Sequence, residues 1–150
     1  MSLKQDLQDR LKEAMRNKEA LKRTLLRTLL SEIKNVEIDL KKELNDEEII
    51  SVFSKQAQQR KDSIEAFERA ARFDLVEKET LELTIIETYL PEQMDTVEIM
   101  TIIDSVILEV NAQNPSDIGK VMSVLMPKIK NRADGKTVNL LVLSKLKDLA

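Results

Sequence analysis

The chain has 150 residues, 42% of them apolar and 34% charged, and its formal net charge is -3. Cysteine and histidine are both absent, which excludes disulfides, a thiol nucleophile, and the commonest general base and zinc ligand. Two glycines and three prolines interrupt a sequence rich in Leu, Ile, Lys and Glu. This composition is typical of long helices and predicts an all-α protein. It indicates no cofactor and identifies no small-molecule substrate.

The N-terminal sequence MSLKQDLQD lacks the apolar run of a signal peptide. No stretch approaches the roughly 18 consecutive apolar residues that a membrane span requires. We therefore expect a soluble, cytoplasmic protein without a membrane partner.

Residues 1–94 are predicted to form a helical hairpin domain. The second helix has apolar residues spaced three and four apart, and a capping box of Asn45 and Glu48 opens the third. These two helices, each about 25 residues long, are expected to lie antiparallel over roughly 35 Å. Flanking helices complete the domain, and the fourth is expected to begin at Asp74 and to end before Pro91.

Residues 95–150 are predicted to form a small three-helix domain, reached through a short ordered linker at residues 89–94. Its three helices are expected to begin at Asp95, Asn114 and Asp134, since each of these side chains can cap a helix N-terminus. A chain of this length lies near the lower limit for independent folding.

Positive charge is concentrated at the end of the chain, where seven basic residues and the single acid Asp134 lie between Lys120 and Lys147. The residues expected to contact RNA phosphates are Lys120, Lys128, Lys130, Arg132 and Lys136. Residues 95–150 contain no aromatic side chain that could stack on a base, so any contact would be to phosphates and sensitive to salt. The alternative is an ordinary solvated helix face.

Five residues are expected to have structural roles. Gly119 inside a helix costs about 1 kcal/mol relative to alanine, which suggests a packing or docking constraint. Gly135 either lets the sixth helix pack closely or lets a phosphate reach free amides. Pro127 should bend or end the sixth helix and so orient the lysines after it. Tyr89 is interpreted as a packing residue at the domain boundary rather than a catalytic acid, and Pro91 marks that boundary.

A second positive run lies in the N-terminal half. Its members are Arg16, Lys18, Lys22, Arg23, Arg27 and Lys34. This run either extends an RNA surface or simply solubilises the tip of the hairpin.

Four segments resemble the GatB/YqeY family of small bacterial proteins. They are KRTLLRTLLSEIKNVEI (22–38), KQAQQRKDSIEAFERAARFDLVEKE (55–79), YLPEQM (89–94) and DIGKVMSVLMPKIKNRADGK (117–136). Where the family often has glycine before Arg-Ala-Asp-Gly, this chain has Asn131, the non-glycine residue that best tolerates a left-handed backbone.

The resemblance implies a relation to the tail domain of the GatB component of the tRNA-dependent amidotransferase, a carbon-nitrogen ligase with glutamine as amido-N-donor. The chain lacks the glycine-rich phosphate cradle and the activated nucleophile that this chemistry needs, so we expect it not to be catalytic alone. The expected function is an accessory module that docks tRNA or another structured RNA, and the resemblance makes amidotransferase subunits candidate partners. The alternative is a helical protein-interaction module with no RNA role.

Overall fold

A computed structural model describes residues 2–150, and within this range it contains seven α-helices, one 3₁₀ turn and no strand. The all-α prediction is therefore confirmed. The helices are α1 (Leu3–Arg16), α2 (Ala20–Leu40), α3 (Asp46–Arg69), α4 (Phe73–Glu87), α5 (Thr96–Val110), α6 (Ile118–Ile129) and α7 (Gly135–Leu149). No helix in the described range is long and apolar enough to cross a membrane.

The chain divides into two compact units, the first ending at Leu90 and the second being Pro91–Ala150. Each unit has its own apolar core. The first is built from Leu7, Ala14, Leu25, Leu26, Leu29, Ile33, Leu44, Ile49, Phe53, Ala57 and Ile86. The second is built from Ile99, Ile103, Val106, Ile107, Ala112, Val121, Leu125, Ile129, Val138, Val142 and Leu146.

In the first unit, the extensive helix contacts are those of α3 with α4 and of α1 with α2. The predicted hairpin of the second and third helices is not confirmed, because α2 and α3 meet over only a short stretch. Both close pairs are joined by turns of three residues, 17–19 and 70–72, and a short turn brings consecutive helices together as antiparallel neighbours. The seam predicted on α2 packs mainly against α1.

A half-buried polar group joins α3 to α4. The guanidinium of Arg60 donates through Nε to Glu82 at 3.3 Å and through another nitrogen to the buried side chain of Gln56. The side chains of Arg60 and Glu82 are each only 13% exposed. A charge this desolvated is costly unless it is paired, so the pair fixes how α4 lies on α3.

Most predicted helix starts are confirmed by their hydrogen bonds. Asn45 and Glu48 form the reciprocal capping box of α3, and Asp95 and Asp134 cap α5 and α7. The start of α4 differs from the prediction, because Asp74 lies within the first turn and not at the cap. The pKa of the Asp74 carboxyl is lowered, chiefly by a hydrogen bond from the guanidinium of Arg72.

Four helices end in a left-handed residue that is not glycine. These residues are Lys18, Lys41, Ala71 and Asn111, with φ angles of 57°, 55°, 55° and 54°. At the end of α3, Ala71 N–H donates to the carbonyl of Glu68 and Arg72 N–H donates to that of Phe67, which is the Schellman pattern usually completed by glycine. A side chain at such a position strains the backbone.

We predict that Ala71→Gly stabilises the protein. The substitution removes the left-handed strain, and we expect the free energy of unfolding to rise by about 0.5–1 kcal/mol after the larger entropy of the unfolded chain is subtracted. Ala70→Gly is the matched control, since Ala70 has a φ of -86° and is not strained. This variant should lower the free energy of unfolding by about 0.5–1 kcal/mol. Urea unfolding measures both, and equal effects would contradict the role given to Ala71.

Candidate nucleic-acid interface

The turn between α6 and α7, residues 130–134, carries or borders most of the predicted RNA contacts. Pro127 lies inside α6, which ends two residues later at Ile129. Proline has no N–H and clashes with the preceding turn, so the helix stops here. Lys130 then leaves the helix with φ -50° and ψ 127°, and Asn131 adopts a φ of 64°. The left-handed turn expected from asparagine at this position is confirmed.

The segment after Pro91 holds this turn in place. Met94 N–H donates to the carbonyl of Arg132 at 2.8 Å, and Gln93 Nε2 donates to the carbonyl of Asn131 at 3.0 Å. In return, Arg132 Nε donates to the carbonyl of Glu92 at 3.1 Å. We call this set of three hydrogen bonds the linker clamp. It joins two of the segments on which the family resemblance rests, 89–94 and 117–136.

Arg132 is therefore occupied within its own unit. Besides its bond to Glu92, one terminal nitrogen lies 3.9 Å from a carboxylate oxygen of Glu98. A guanidinium that serves backbone and carboxylate acceptors fixes geometry. Of the five predicted RNA contacts, Arg132 is the one whose side chain shapes the turn. Gln93, which composition and charge did not single out, shares this task.

Two of the predicted lysines face acids. Lys128 Nζ lies 3.3 Å from Glu109, and Lys120 Nζ lies 3.9 Å from Asp117. The pKa of the Asp117 carboxyl is lowered, first by the N–H of Gln113 at 2.9 Å and then by the charge of Lys120. Exposed pairs of this kind contribute little to stability.

Lys130 and Lys136 are exposed and make no ion pair within residues 2–150. They lie on either side of the clamped turn, one just after α6 and the other in the first turn of α7. The structure thus brings two free positive charges to one rigid turn. Lys128 lies in the last turn of α6, close to the same place.

The two glycines lie in ordinary helical backbone. A methyl group added at Gly119 would meet nothing within 4 Å, so packing within the unit does not account for glycine there. At Gly135, the added carbon would lie 3.5 Å from Met126 Cε, an ordinary contact. Neither position has a positive φ.

Tyr89 lies in the first unit, half-buried against two side chains. Its ring meets Phe53 edge-on with centroids 5.4 Å apart, and the guanidinium of Arg10 lies 5.3 Å from the ring centroid. Burial raises the pKa of the Tyr89 hydroxyl, and the charge of Arg10 opposes this shift. These are the contacts of a packed aromatic residue.

The described residues contain no group of three His, Cys, Asp or Glu side chains placed to hold a metal ion. An apolar groove lies in the first unit between the end of α2 and the start of α3. Its lining is Val36, Leu40, Leu44, Glu48, Ser51, Val52 and Lys55.

Residues 4–146 match the family described as Yqey-like protein. The chain belongs to this family. The match covers both units and confirms the resemblance found in the four sequence segments.

Yeast relatives also match the chain. Altered inheritance of mitochondria protein 41 of Lachancea thermotolerans is 42% identical over 118 residues, which are 77% of this chain and 61% of the relative. The protein of the same name in Kluyveromyces lactis is 48% identical over 89 residues, 59% of this chain and 46% of the relative. In Saccharomyces cerevisiae it is 46% identical over 83 residues, 55% and 45% of the two chains. The chain spans about half the length of the curated relatives it matches.

These relatives correct two expectations. The sequence led us to expect a bacterial protein and a cytoplasmic location, but the relatives are yeast proteins whose names describe them as mitochondrial. Both expectations are contradicted by this comparison. Sequences similar to this chain therefore also occur outside bacteria.

We predict that Arg132→Leu loosens the linker clamp. The change keeps an aliphatic stem but removes the donor to Glu92, and losing an exposed hydrogen bond of this kind costs about 0.5–1.5 kcal/mol. Hydrogen exchange at the Met94 amide should accelerate accordingly. The control Lys136→Leu removes the same charge from an exposed side chain and should change stability by less than about 0.5 kcal/mol. Equal exchange rates in the two variants would contradict the clamp.

Proposed function

We propose that this chain is a non-catalytic docking protein for structured RNA such as tRNA. The phosphates are contacted by three lysines in or beside the turn between α6 and α7, namely Lys128, Lys130 and Lys136. Lys120, near the start of α6, adds positive charge. Arg132 positions the turn. One observation carries the proposal. Lys130 in the turn and Lys136 just after it make no ion pair with a described residue, and three hydrogen bonds hold the turn in place.

Rigidity matters because an exposed lysine loses conformational freedom when it binds. A turn that is already ordered loses little further conformational entropy when RNA binds. The remaining entropy cost is that of ordering the lysine side chains themselves. Lysine acts on phosphate as a mobile point charge, which suits contacts that follow the shape of an RNA rather than its base sequence. No aromatic side chain occurs in residues 95–150, so stacking on bases contributes nothing there.

Gly119 is consistent with the same proposal. Its position near the start of α6 is exposed, and nothing in its own unit fills the space that a methyl group would take. Glycine in a helix costs about 1 kcal/mol relative to alanine. Glycine at this position would let an RNA backbone approach the helix closely, which would account for a residue that destabilises the helix.

The family resemblance adds a partner to this proposal. A protein related to the tail domain of an RNA-dependent amidotransferase would act beside the subunits that carry the chemistry. Co-purification with such subunits, or stimulation of glutamine-dependent amidation in a reconstituted mixture, would support that partner. A mixture that behaves identically with and without the chain counts against it.

We predict that folded bulk tRNA binds the full chain and that the affinity falls steeply with salt. Four phosphate contacts correspond to a loss of about 10²-fold between roughly 50 and 200 mM salt. The double variant Lys130→Glu/Lys136→Glu should bind about tenfold or more weakly at low salt and show a shallower salt dependence, by about one unit of slope per contact. Fluorescence anisotropy with labelled tRNA measures both.

The matched control is Lys61→Glu/Lys78→Glu, which changes the net charge equally on exposed positions of α3 and α4. This control should bind tRNA nearly as the original chain does. If the original chain shows no binding even at the lowest salt, the RNA proposal is wrong. If both double variants weaken binding equally, net charge alone and not the turn is responsible.

A protein-interaction function is the second candidate, and one observation favours it. At the apolar groove beside the end of α2, Leu40 is 54% exposed, and the nearby Ile38 is 62% exposed. Exposed apolar residues beside a groove can receive an apolar side chain from a partner helix. A pull-down from cell extract separates the two candidates, because protein partners persist after nuclease treatment whereas RNA-dependent partners do not.

A further inference from the structure

The corner between α1 and α2 holds a dense group of unpaired positive charges. Residues 16–27 contain five basic residues and one acid, Glu19. The basic residues are Arg16, Lys18, Lys22, Arg23 and Arg27. We call these five residues the α1–α2 corner. None of them lies in an ion pair with another described residue.

The contrast with the second unit is informative. There, four cations each lie within 4 Å of a carboxylate. Those residues are Lys120, Lys128, Arg132 and Lys145. A cation already facing an acid must leave that acid to gain a phosphate, whereas the α1–α2 corner has no such competitor. Its positive potential is therefore the less compensated of the two.

The local fold explains only part of these charges. Arg16 in the last turn of α1, and Lys18 just after it, complement the dipole of that helix, but the charges on α2 have no such role. The first turn of α2 contains no acid, and Glu19 at its N-cap makes no side-chain capping bond. Lys22 lies in that turn, where the helix dipole favours negative groups and disfavours positive ones. Like charges crowded at one corner also repel each other. The position of Lys22 therefore costs stability, which is the expected consequence when charge is placed for a ligand and not for the helix.

Arg23 adds an unsatisfied donor to this surface. Its Nε is buried and has no hydrogen-bond partner among the described residues. A buried donor without an acceptor carries the full cost of its desolvation. A phosphate oxygen at the surface would pair with the terminal nitrogens of this guanidinium, which is the charged acceptor that arginine prefers.

The chemistry favours RNA phosphates over a membrane surface. Leu25, Leu26 and Leu29 of α2 are buried in the core, and Leu21 is partly buried. The cations are therefore not backed by a broad apolar face that could enter a bilayer. Met15 is partly exposed, but its sulfur lies 3.8 Å from a guanidinium nitrogen of Arg27. No aromatic residue occurs between residues 16 and 27, which points to phosphates and not to bases.

We infer that the α1–α2 corner is a phosphate-binding surface of the first unit, used for the same class of structured RNA. This inference rests on the proposed function for the ligand class but uses a different unit and different residues. A chain with a phosphate-binding surface on each unit gains affinity when both engage one RNA, because the second contact is then intramolecular.

The test uses the full chain and labelled bulk tRNA. We expect Lys22→Glu/Arg27→Glu to lower the affinity by about tenfold or more at low salt and to reduce the salt slope by about two units. The melting temperature should stay equal or rise, because glutamate at position 22 agrees with the helix dipole. Lys61→Glu/Lys78→Glu is again the control with the same change of net charge.

The outcomes separate this inference from the proposed function. If the corner variant binds as the control does while Lys130→Glu/Lys136→Glu loses affinity, the inference is overturned and the proposed function stands. If the corner variant alone loses affinity, the inference stands and the turn between α6 and α7 is not the RNA contact. No tRNA binding by the original chain overturns both.

Vesicles containing phosphatidylserine provide the remaining arm of the experiment. The original chain should bind them more weakly than it binds tRNA at the same salt. Tighter binding to vesicles that disappears in Lys22→Glu/Arg27→Glu would assign the corner to a lipid surface and overturn the inference.

Discussion

The hydrogen bond from Met94 N–H to the carbonyl of Arg132 ties the start of the second unit to the turn that carries its candidate site. Met94 also packs against the apolar core of that unit. Together these contacts hold residues 91–94 against the turn that joins α6 to α7. The turn itself is closed by hydrogen bonds from the Arg132 and Ala133 amides to the carbonyl of Ile129, and the contacts with residues 91–94 add support from outside it. The position of the exposed lysines follows from this small set of bonds.

The chain as a whole uses glycine sparingly, and the energetic consequences are visible in both units. Four helices end in a left-handed residue with a side chain, so each helix end stores strain that glycine would remove. The two glycines present lie instead at ordinary helical angles. Glycine is thus absent from the four left-handed helix ends, where it would relieve backbone strain. At Gly119, an added methyl group would meet nothing within 4 Å, so packing within its unit does not require glycine there.

The fold class and most helix starts could be predicted from the sequence because they depend on local patterns. Capping residues such as Asn45 and Asp134 act on amides only two or three positions away. The pairing of helices could not be predicted, since the apolar stripes of α2, α3 and α4 share one period and each is compatible with several neighbours. Which helices pair depends on turn length and on the half-buried link between Arg60 and Glu82. Neither is visible in periodicity.

The candidate site was predictable as a region and not as a set of roles. Charge density marked residues 120–136, but charge alone does not distinguish Arg132, which donates to the linker backbone, from Lys130, which is free. That distinction depends on residues about 40 positions apart in the chain. The two family motifs at 89–94 and 117–136 are the sequence feature related to this distinction, because hydrogen bonds join these two segments. The basic residues of the α1–α2 corner were likewise visible in the sequence as a run of positive charge. Only the structure shows that they make no ion pair with a described acid.

The most direct measurement is amide hydrogen exchange of the full chain with and without folded tRNA at low salt. Phosphate contact by both units predicts slower exchange at residues 130–136, which are a turn and the start of α7, and at residues 17–22, which are a turn and the start of α2. The apolar groove at the end of α2 should exchange as before. Protection confined to that groove, or no change anywhere in the presence of tRNA, would contradict RNA docking.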